Sequence, residues 1–153
     1  FTSTENEMIK NRISQLISTF FYLGKVKYAP GTIASLVTLF IWYIFMPEDI
    51  LFRLLFFFCI SIIGFFSIKN SLICYNDKDP QEIVIDEVIG MSLPLLFLTD
   101  LVIMSIAFIL FRVFDIFKPS IIYYSQFYDG AFGIILDDLL AGLCVIIVLV
   151  QYI

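Results

Sequence analysis

The chain has 153 residues, enough for one domain over residues 1–153, and 61% of them are hydrophobic while only 15% are charged. In soluble domains roughly 45–50% of the residues are hydrophobic and about 25% are charged. This composition therefore excludes an ordinary soluble fold and favours a protein embedded in a lipid bilayer. The net charge of −5, with no basic patch, excludes a nucleic-acid-binding protein.

The N-terminal third predicts an amphipathic helix followed by a membrane segment. Apolar residues recur at helical spacing over residues 5–24, and Gly24 is a plausible stop. Residues 25–31 read as a loop, after which Thr32 is predicted to cap the next helix. The apolar run over residues 32–46 is about 15 residues long and ends at a tight turn.

Three further apolar runs follow. Residues 50–68 are nearly unbroken and predict a membrane span, with Arg53 close enough to one end for its side chain to reach the interface. Residues 88–111 are long enough but are interrupted by Pro94 and by a polar step at residues 99–100. With the final run over residues 139–153, the chain is predicted to have up to four membrane-embedded segments.

The distribution of positive charge predicts the orientation. Four basic residues precede the first apolar run and place the N-terminus in the cytoplasm: Lys10, Arg12, Lys25 and Lys27. Counting spans from there puts residues 69–82 and 112–133 on the cytoplasmic side as well. The sequence therefore predicts a multi-pass protein of the cell inner (cytoplasmic) membrane whose unusual polar segments meet at one face.

Five acidic residues adjoin the long apolar helices: Asp86, Glu87, Asp115, Asp137 and Asp138. An ionised group at membrane depth costs about 2.5–3.5 kcal/mol and usually marks an ion or substrate site. A lone acid at this depth is more simply explained by solvation among the lipid headgroups. Three acidic clusters at one face of the membrane instead favour an ion or substrate site. Adjacent carboxylates need a cation between them, and a chain without histidine favours Mg²⁺ over zinc.

Arg112, Asp115 and Lys118 recur at a spacing of three and share one helix face. They form either an intrahelical ladder of ion pairs or a set of phosphate ligands, and the spacing favours neither. The absence of histidine removes most nucleophilic mechanisms, and residues 77–80 resemble only half of an aspartyl-phosphate motif. Metal-assisted attack by water on a phosphoryl group remains.

Four segments resemble, in order, the motifs of the phosphatidylglycerophosphatase A family. They are APGTIAS at residues 29–35, IVIDEVIG at 83–90, FRVFDIFKP at 111–119 and GIILDDLLAG at 133–142. The resemblance covers about residues 20–150, and four ordered motifs make it specific. Two positions depart from the usual pattern: Ile121 replaces a second proline, and Gly130-Ala131 replaces a double glycine.

The resemblance implies an all-α membrane protein with about five to six helices packed around a central helix. It implies Mg²⁺-dependent removal of the terminal phosphate of phosphatidylglycerophosphate, a phospholipid substrate and no obligate protein partner. Carried over by position, the catalytic acids are Asp86, Glu87, Asp115, Asp137 and Asp138, and the substrate-binding residues are Gly31, Thr32, Ser35, Arg112 and Lys118. We further expect the metal ligands to be Asp86, Glu87, Asp137 and Asp138, and Lys25 to bind the phosphate together with Arg112 and Lys118.

Several alternatives remain open at this point. The acids would hold one or two Mg²⁺ ions, and either Asp115 or Glu87 would take the proton from the attacking water. The alternative function is a small membrane transporter or assembly protein that uses buried acids for ion coupling. The acids of such a carrier should line a path through the membrane, whereas these are predicted to cluster at one face.

Overall fold

The computed structural model describes residues 2–125 and 127–153, and across these residues the chain is helical with no β-strand. The α-helices are α1 (Ser3–Ser18), α2 (Pro30–Phe45), α3 (Ile50–Ser71), α4 (Ile85–Leu95), α5 (Leu101–Phe117), α6 (Ser120–Ser125) and α7 (Gly130–Leu149). Short 3-10 helices cover Leu23–Lys25, Leu72–Cys74 and Val150–Tyr152. The predicted all-helical fold is confirmed.

The short helix α4 is the centre of the bundle. It packs against α7 most extensively and also contacts α1, α2, α3 and α5. Nearly all of its side chains are buried, including Ile89 and Met91. The apolar run over residues 88–111 is therefore divided between this core helix and α5, which begins where the carboxylate of Asp100 accepts hydrogen bonds from two backbone amides.

Two helical segments are long and apolar enough to cross a membrane, Ile50–Cys74 and Gly130–Tyr152, and α2 is a shorter apolar helix. In the first segment only 22% of the most apolar window is buried inside the protein. Its outer face carries large exposed side chains such as Phe52, Phe58 and Phe66. Apolar surface of this extent is stable in contact with lipid and not with water, so the chain is a helical membrane protein.

Arg53 does not extend to the membrane interface as predicted but is buried, with only 4% of its surface exposed. Its guanidinium donates hydrogen bonds to the carbonyl oxygens of Leu95, Leu96 and Leu98, at 3.2, 3.3 and 2.8 Å, and of Pro47 at 2.7 Å. The C-terminal carbonyls of a helix lack partners within the helix, and a cation there also complements the helix dipole. Arg53 thus fixes the end of α4 that lies away from the acidic residues.

The structure corrects two predicted boundaries near the N-terminus. Helix α1 ends at Ser18 and not at Gly24, because residues 20–22 all adopt left-handed backbone angles. A Cβ on Gly24 would lie 1.8 Å from the carbonyl oxygen of Glu82, so this glycine allows a close backbone approach. Thr32 does not cap α2, which begins at Pro30, a residue whose fixed φ suits the first helical position.

Glycines bring α4 and α7 into backbone contact. A Cβ on Gly90 would lie 2.6 Å from the carbonyl oxygen of Asp138, and one on Gly142 would lie 2.4 Å from the carbonyl oxygen of Gly90. Small residues permit such approach between membrane helices, where dispersion contacts drive association. The two helices that carry the paired acids are consequently locked together at close range.

We expect Gly142→Val to destabilise the protein, because the added side chain must push α4 and α7 apart against backbone atoms. Overpacking usually costs about 1–3 kcal/mol, which corresponds to a loss of several degrees in Tm. The matched control is Leu143→Val, at the next position of α7, where the side chain is 46% exposed. Thermal unfolding in detergent should separate the two variants, and equal Tm values would contradict the close contact.

Candidate active site

The contact between α4 and α7 brings three carboxylates together. Asp86 and Glu87 lie in the first turn of α4, and Asp138 lies one turn before Gly142 on α7. One oxygen from each of these side chains falls within 4.8 Å of the other two. Such a spacing between oxygen ligands is suited to a hard cation.

The burial of this carboxylate cluster also favours a cation. Asp86 is 7% exposed and Asp138 3% exposed. Asp86 Oδ1, Glu87 Oε2 and Asp138 Oδ2 are buried without a hydrogen-bond partner. An unpaired carboxylate oxygen is costly to bury, and mutual repulsion adds to the cost when three lie together. A bound cation would satisfy all three oxygens at once, and the donor set matches the preference of Mg²⁺ for oxygen.

Two ion pairs flank the carboxylate cluster. Arg112 Nη1 donates to Asp115 Oδ2 at 2.6 Å along α5, whereas Lys118 Nζ donates across the bundle to Asp137 Oδ2 on α7. Only the first of these pairs belongs to an intrahelical ladder. Lys118 leaves the helix direction because it adopts a left-handed backbone at the end of α5.

Lys118 remains a cation in this setting. Burial alone would lower the pKa of its ammonium group, but the hydrogen bond to Asp137 and the charges of Asp137, Asp115 and Asp79 together raise the pKa above its usual value. Lys118 therefore offers a permanent positive charge next to the carboxylate cluster. Arg112 offers a second one, with its Nε buried and without a partner.

Glu87 is held against the N-terminus of α2. A Cβ on Gly31 would lie 2.2 Å from Glu87 Oε1, so the carboxylate occupies the space that any other residue would fill. Unpaired backbone amides and the positive end of the helix dipole favour an anion at this position. The glycine of the APGTIAS motif thus determines where Glu87 lies.

A polar cavity of about 340 Å³ contains these groups. Of the predicted site residues it is lined by Gly31, Asp86, Glu87, Arg112, Asp115, Lys118, Asp137 and Asp138. Its charged lining comprises six acids, since Asp79 also contributes, and three bases, since Lys27 also contributes, so its formal charge is −3. An anionic substrate could enter such a cavity only together with a cation.

Three predicted substrate ligands do not line this cavity. The ammonium of Lys25 lies over the ring of Tyr22, 5.1 Å from its centroid. Ser35 is buried and its hydroxyl donates to the carbonyl oxygen of Gly31 at 2.8 Å, which supports the first turn of α2. Thr32 follows Gly31 in this turn and is not among the residues that line the cavity.

Three polar residues that line the cavity, Lys27, Asp79 and Gln81, were not among the predicted site residues. Lys27 comes two residues before the APGTIAS segment, and this proximity to a motif could have identified it as a site residue. Asp79 was considered only as part of an incomplete aspartyl-phosphate motif.

Two positions depart from the usual family pattern, Ile121 and Ala131. The side chain of Ile121 lies outside the described part of the chain, whereas Ala131 is buried in the first turn of α7 without interrupting the helix.

An acidic, cation-suited cavity at one end of an apolar helical bundle defines a membrane-associated enzyme site of the kind that acts on phosphate esters. The family model described as phosphatidylglycerophosphatase A matches residues 16–153. The chain belongs to this family and is a phosphatase, a phosphoric monoester hydrolase.

Three curated relatives span most of the chain. A protein of Bacteroides thetaiotaomicron, named as a proposed phosphatidylinositol-3-phosphatase, is 33% identical and the match covers 83% of this chain and 85% of the relative. Phosphatidylglycerophosphatase A of Escherichia coli is 32% identical, and the match covers 83% of this chain and 76% of the relative. The Haemophilus influenzae protein of the same name is also 32% identical, and the match covers 97% of this chain and 98% of the relative. No solved structure matches the chain.

We expect Gly31→Ala to reduce activity while leaving the fold intact. The new methyl group meets only the flexible end of Glu87, so the carboxylate moves and the helices do not. Displacement of a reacting group by about 1 Å can cost roughly 100-fold in rate. The measurement is the rate of phosphate release, together with Tm, which should change little.

The control for this prediction is a double-mutant cycle with Glu87→Asp, a shorter acid that leaves room for the methyl group. Gly31→Ala should have a much smaller additional effect in the Glu87→Asp background than in the native one. Fully additive losses would show that Gly31 does not act through Glu87.

Proposed function

We propose that the chain is a Mg²⁺-dependent phosphatase that hydrolyses the terminal phosphate of phosphatidylglycerophosphate to give phosphatidylglycerol. One observation carries this proposal: Asp86, Glu87 and Asp138 each have a buried carboxylate oxygen without a hydrogen-bond partner, and they share a polar cavity with Arg112 and Lys118. Membership of the phosphatidylglycerophosphatase A family, and the names of two relatives, supply the substrate.

Asp86, Glu87 and Asp138 would hold the Mg²⁺ ion. When bound, the ion would polarise the phosphoryl group and lower the pKa of a water molecule. Asp137 was predicted as a fourth ligand, but its carboxylate accepts the hydrogen bond of Lys118. In this proposal Asp137 therefore orients a phosphate-binding cation, and three carboxylates form the metal site.

Arg112, Lys118 and Lys27 bind the phosphoryl oxygens. Arg112 and Lys118 are held by Asp115 and Asp137 before substrate arrives, so little side-chain entropy is lost on binding. Donors fixed in advance around a transferring phosphoryl group stabilise the charge that develops on its oxygens. The lipid tails stay in the bilayer, and only the headgroup enters the cavity.

Asp115 is the stronger candidate for the residue that takes the proton from the attacking water. Glu87 lies within the carboxylate cluster, where a bound cation would depress its affinity for a proton. Asp115 lines the same cavity but lies outside that cluster. A base should lie in the cavity without being a strong metal ligand, and of the two candidates Asp115 meets both conditions.

The transporter alternative has less support. The buried carboxylates in the described part of the chain are Asp86, Asp137 and Asp138, and all three line the one cavity. At the opposite end of the bundle, Asp49 and Asp100 accept hydrogen bonds from the first amides of α3 and α5. These two acids have a capping role, and among the described residues no buried acid lies between the two ends of the bundle.

A second candidate substrate is phosphatidylinositol 3-phosphate, favoured by the name of the Bacteroides thetaiotaomicron relative. Both lipids present a phosphomonoester on a polyol that is joined to the lipid by a phosphodiester. The groups that bind and cleave the monoester would be the same for either. Comparison of the two lipids at equal surface concentration would identify the preferred one.

We expect purified protein to release phosphate from phosphatidylglycerophosphate with Mg²⁺ present and to lose this activity with excess chelator. Asp138→Asn should lower the rate by more than about 100-fold, since even the loss of residues behind metal ligands costs 10–100-fold. The matched control is Asp77→Asn, an exposed acid outside the cavity, which should keep the native rate.

Two results would contradict the proposal. Undiminished release in excess chelator would exclude the metal-dependent mechanism. Folded wild-type protein that releases no phosphate from either lipid would exclude both candidate substrates and would favour the transporter alternative.

The membrane orientation can be tested with the native cysteines. The chain is proposed to be a multi-pass inner-membrane protein with its active site at the cytoplasmic face, because Lys25, Lys27, Lys69 and Lys78 lie in or beside the segments at that end. Cys74 is exposed at this same end, beyond α3.

We expect a membrane-impermeant maleimide to label Cys74 in inside-out vesicles and not in right-side-out ones. The background should be Cys59→Ser with Cys144→Ala, and Thr99→Cys, at the opposite end of the bundle, should show the reverse pattern. Labelling of Cys74 only from the outer side would invert the proposed topology.

A further inference from the structure

A second cavity of about 240 Å³ adjoins the catalytic cavity, and we call it the side cavity. The two share Asp79, Lys118, Ile134 and Asp137 as lining residues, so the ion pair of Lys118 with Asp137 stands at their boundary. The outer wall of the side cavity comprises Lys78, Tyr128, Asp129, Gly130 and Gly133. None of these five has a role in the phosphatase mechanism described above.

Two glycines show that the sequence specifies this cavity. A Cβ on Gly133 would lie 1.9 Å from the carbonyl oxygen of Tyr128, so the segment before α7 can fold closely onto its first turn. Gly130 has a φ of +79°, a left-handed angle that favours glycine. Together they hold Tyr128 and Asp129 beside the boundary ion pair.

The charges of the side cavity indicate what it can bind. Its lining contains three acids, Asp79, Asp129 and Asp137, and two bases, Lys78 and Lys118, which gives a formal charge of −1. A second anionic group would gain little there, unlike in the catalytic cavity with its proposed metal ion. Mixed donors and acceptors of nearly balanced charge are suited to hydroxyl groups, which both donate and accept hydrogen bonds.

The ion pair of Lys78 with Asp129 spans the outside of the side cavity. Lys78 Nζ lies 3.1 Å from Asp129 Oδ1, and the two side chains are 86% and 76% exposed. Exposed pairs of this kind contribute little to stability because water competes for both charges. The ion pair can therefore separate at little cost in free energy, and Lys78 and Asp129 can then form hydrogen bonds with hydroxyl groups of a ligand.

We propose that the side cavity binds the polyol part of the headgroup, which lies between the scissile phosphomonoester and the phosphodiester of the lipid, through Lys78 and Asp129. This inference rests on the proposed function, because it assumes that the phosphomonoester lies beside Arg112 and Lys118. Lys78 and Asp129 are then specificity residues that favour phosphomonoesters carried on a hydroxylated headgroup over those attached directly to diacylglycerol.

The test compares two substrates of the wild-type protein and of the variants Asp129→Ala and Lys78→Met, with Mg²⁺ present. Phosphatidylglycerophosphate carries a glycerol before its terminal phosphate, whereas phosphatidic acid has its phosphate directly on diacylglycerol. Loss of one or two hydrogen bonds to the polyol should raise KM for the first lipid by about 3–10-fold with little change in kcat. The slower hydrolysis of phosphatidic acid should be unchanged.

Two matched controls accompany these variants. Lys69→Met and Asp77→Ala remove the same charges from exposed positions outside both cavities and should leave KM unchanged for both lipids. Since the two variants lie on different segments of the chain, a folding defect in one would leave the other as the test.

The possible failures are distinguishable. Variants that lose activity equally on both lipids would overturn the proposal, because their effect would not depend on the polyol. Variants indistinguishable from wild type on both lipids would overturn it as well. Absence of phosphate release by the wild-type protein would instead overturn the proposed function and, with it, this inference.

Discussion

The backbone contact between α4 and α7 is the constraint on which the rest of the site depends. Gly90 lies against the backbone of Asp138, and Gly142 lies against the carbonyl oxygen of Gly90. At this separation the acids in the first turn of α4 necessarily face Asp138. The contact between α4 and α7 therefore has two opposite effects. It gains dispersion energy between the helices, and it brings their carboxylates close enough to repel each other.

This repulsion must be opposed by the packing around the carboxylate cluster. Three carboxylates with unpaired oxygens favour separation of their helices, and Arg53 fixes the far end of α4 through the carbonyl oxygens of Leu95 and of two residues just beyond the helix. Strain of this kind is typical of functional sites and is relieved when a ligand binds. In the proposed function that ligand is Mg²⁺, so metal binding should also stabilise the folded state.

Much of the site could be predicted because the motifs lie on regular helices. The helical fold follows from the composition and the apolar runs. The grouping of the acidic pairs and the glycines that accompany them follow from their spacing along the helices. The difference between Asp137 and Asp138 does not follow from their spacing, because the equally adjacent Asp86 and Glu87 both reach the carboxylate cluster. It depends on Lys118, which pairs with Asp137 from a left-handed position at the end of α5. The sequence could not distinguish Lys25 from Lys27, because the intervening loop has no periodicity, and three left-handed residues ended α1 early without a glycine among them.

The division of the cavities suggests how one fold could serve related lipids. Apart from Lys27, the residues proposed to bind the phosphomonoester, Arg112 and Lys118, come from the C-terminal end of the packed helix α5. Residues of the side cavity, Lys78 and Asp129, come from segments that connect helices, where substitution costs little stability. Selection for a different polyol could then act on these segments while the carboxylate cluster stays fixed. Relatives named for glycerol and inositol lipids are consistent with such a division.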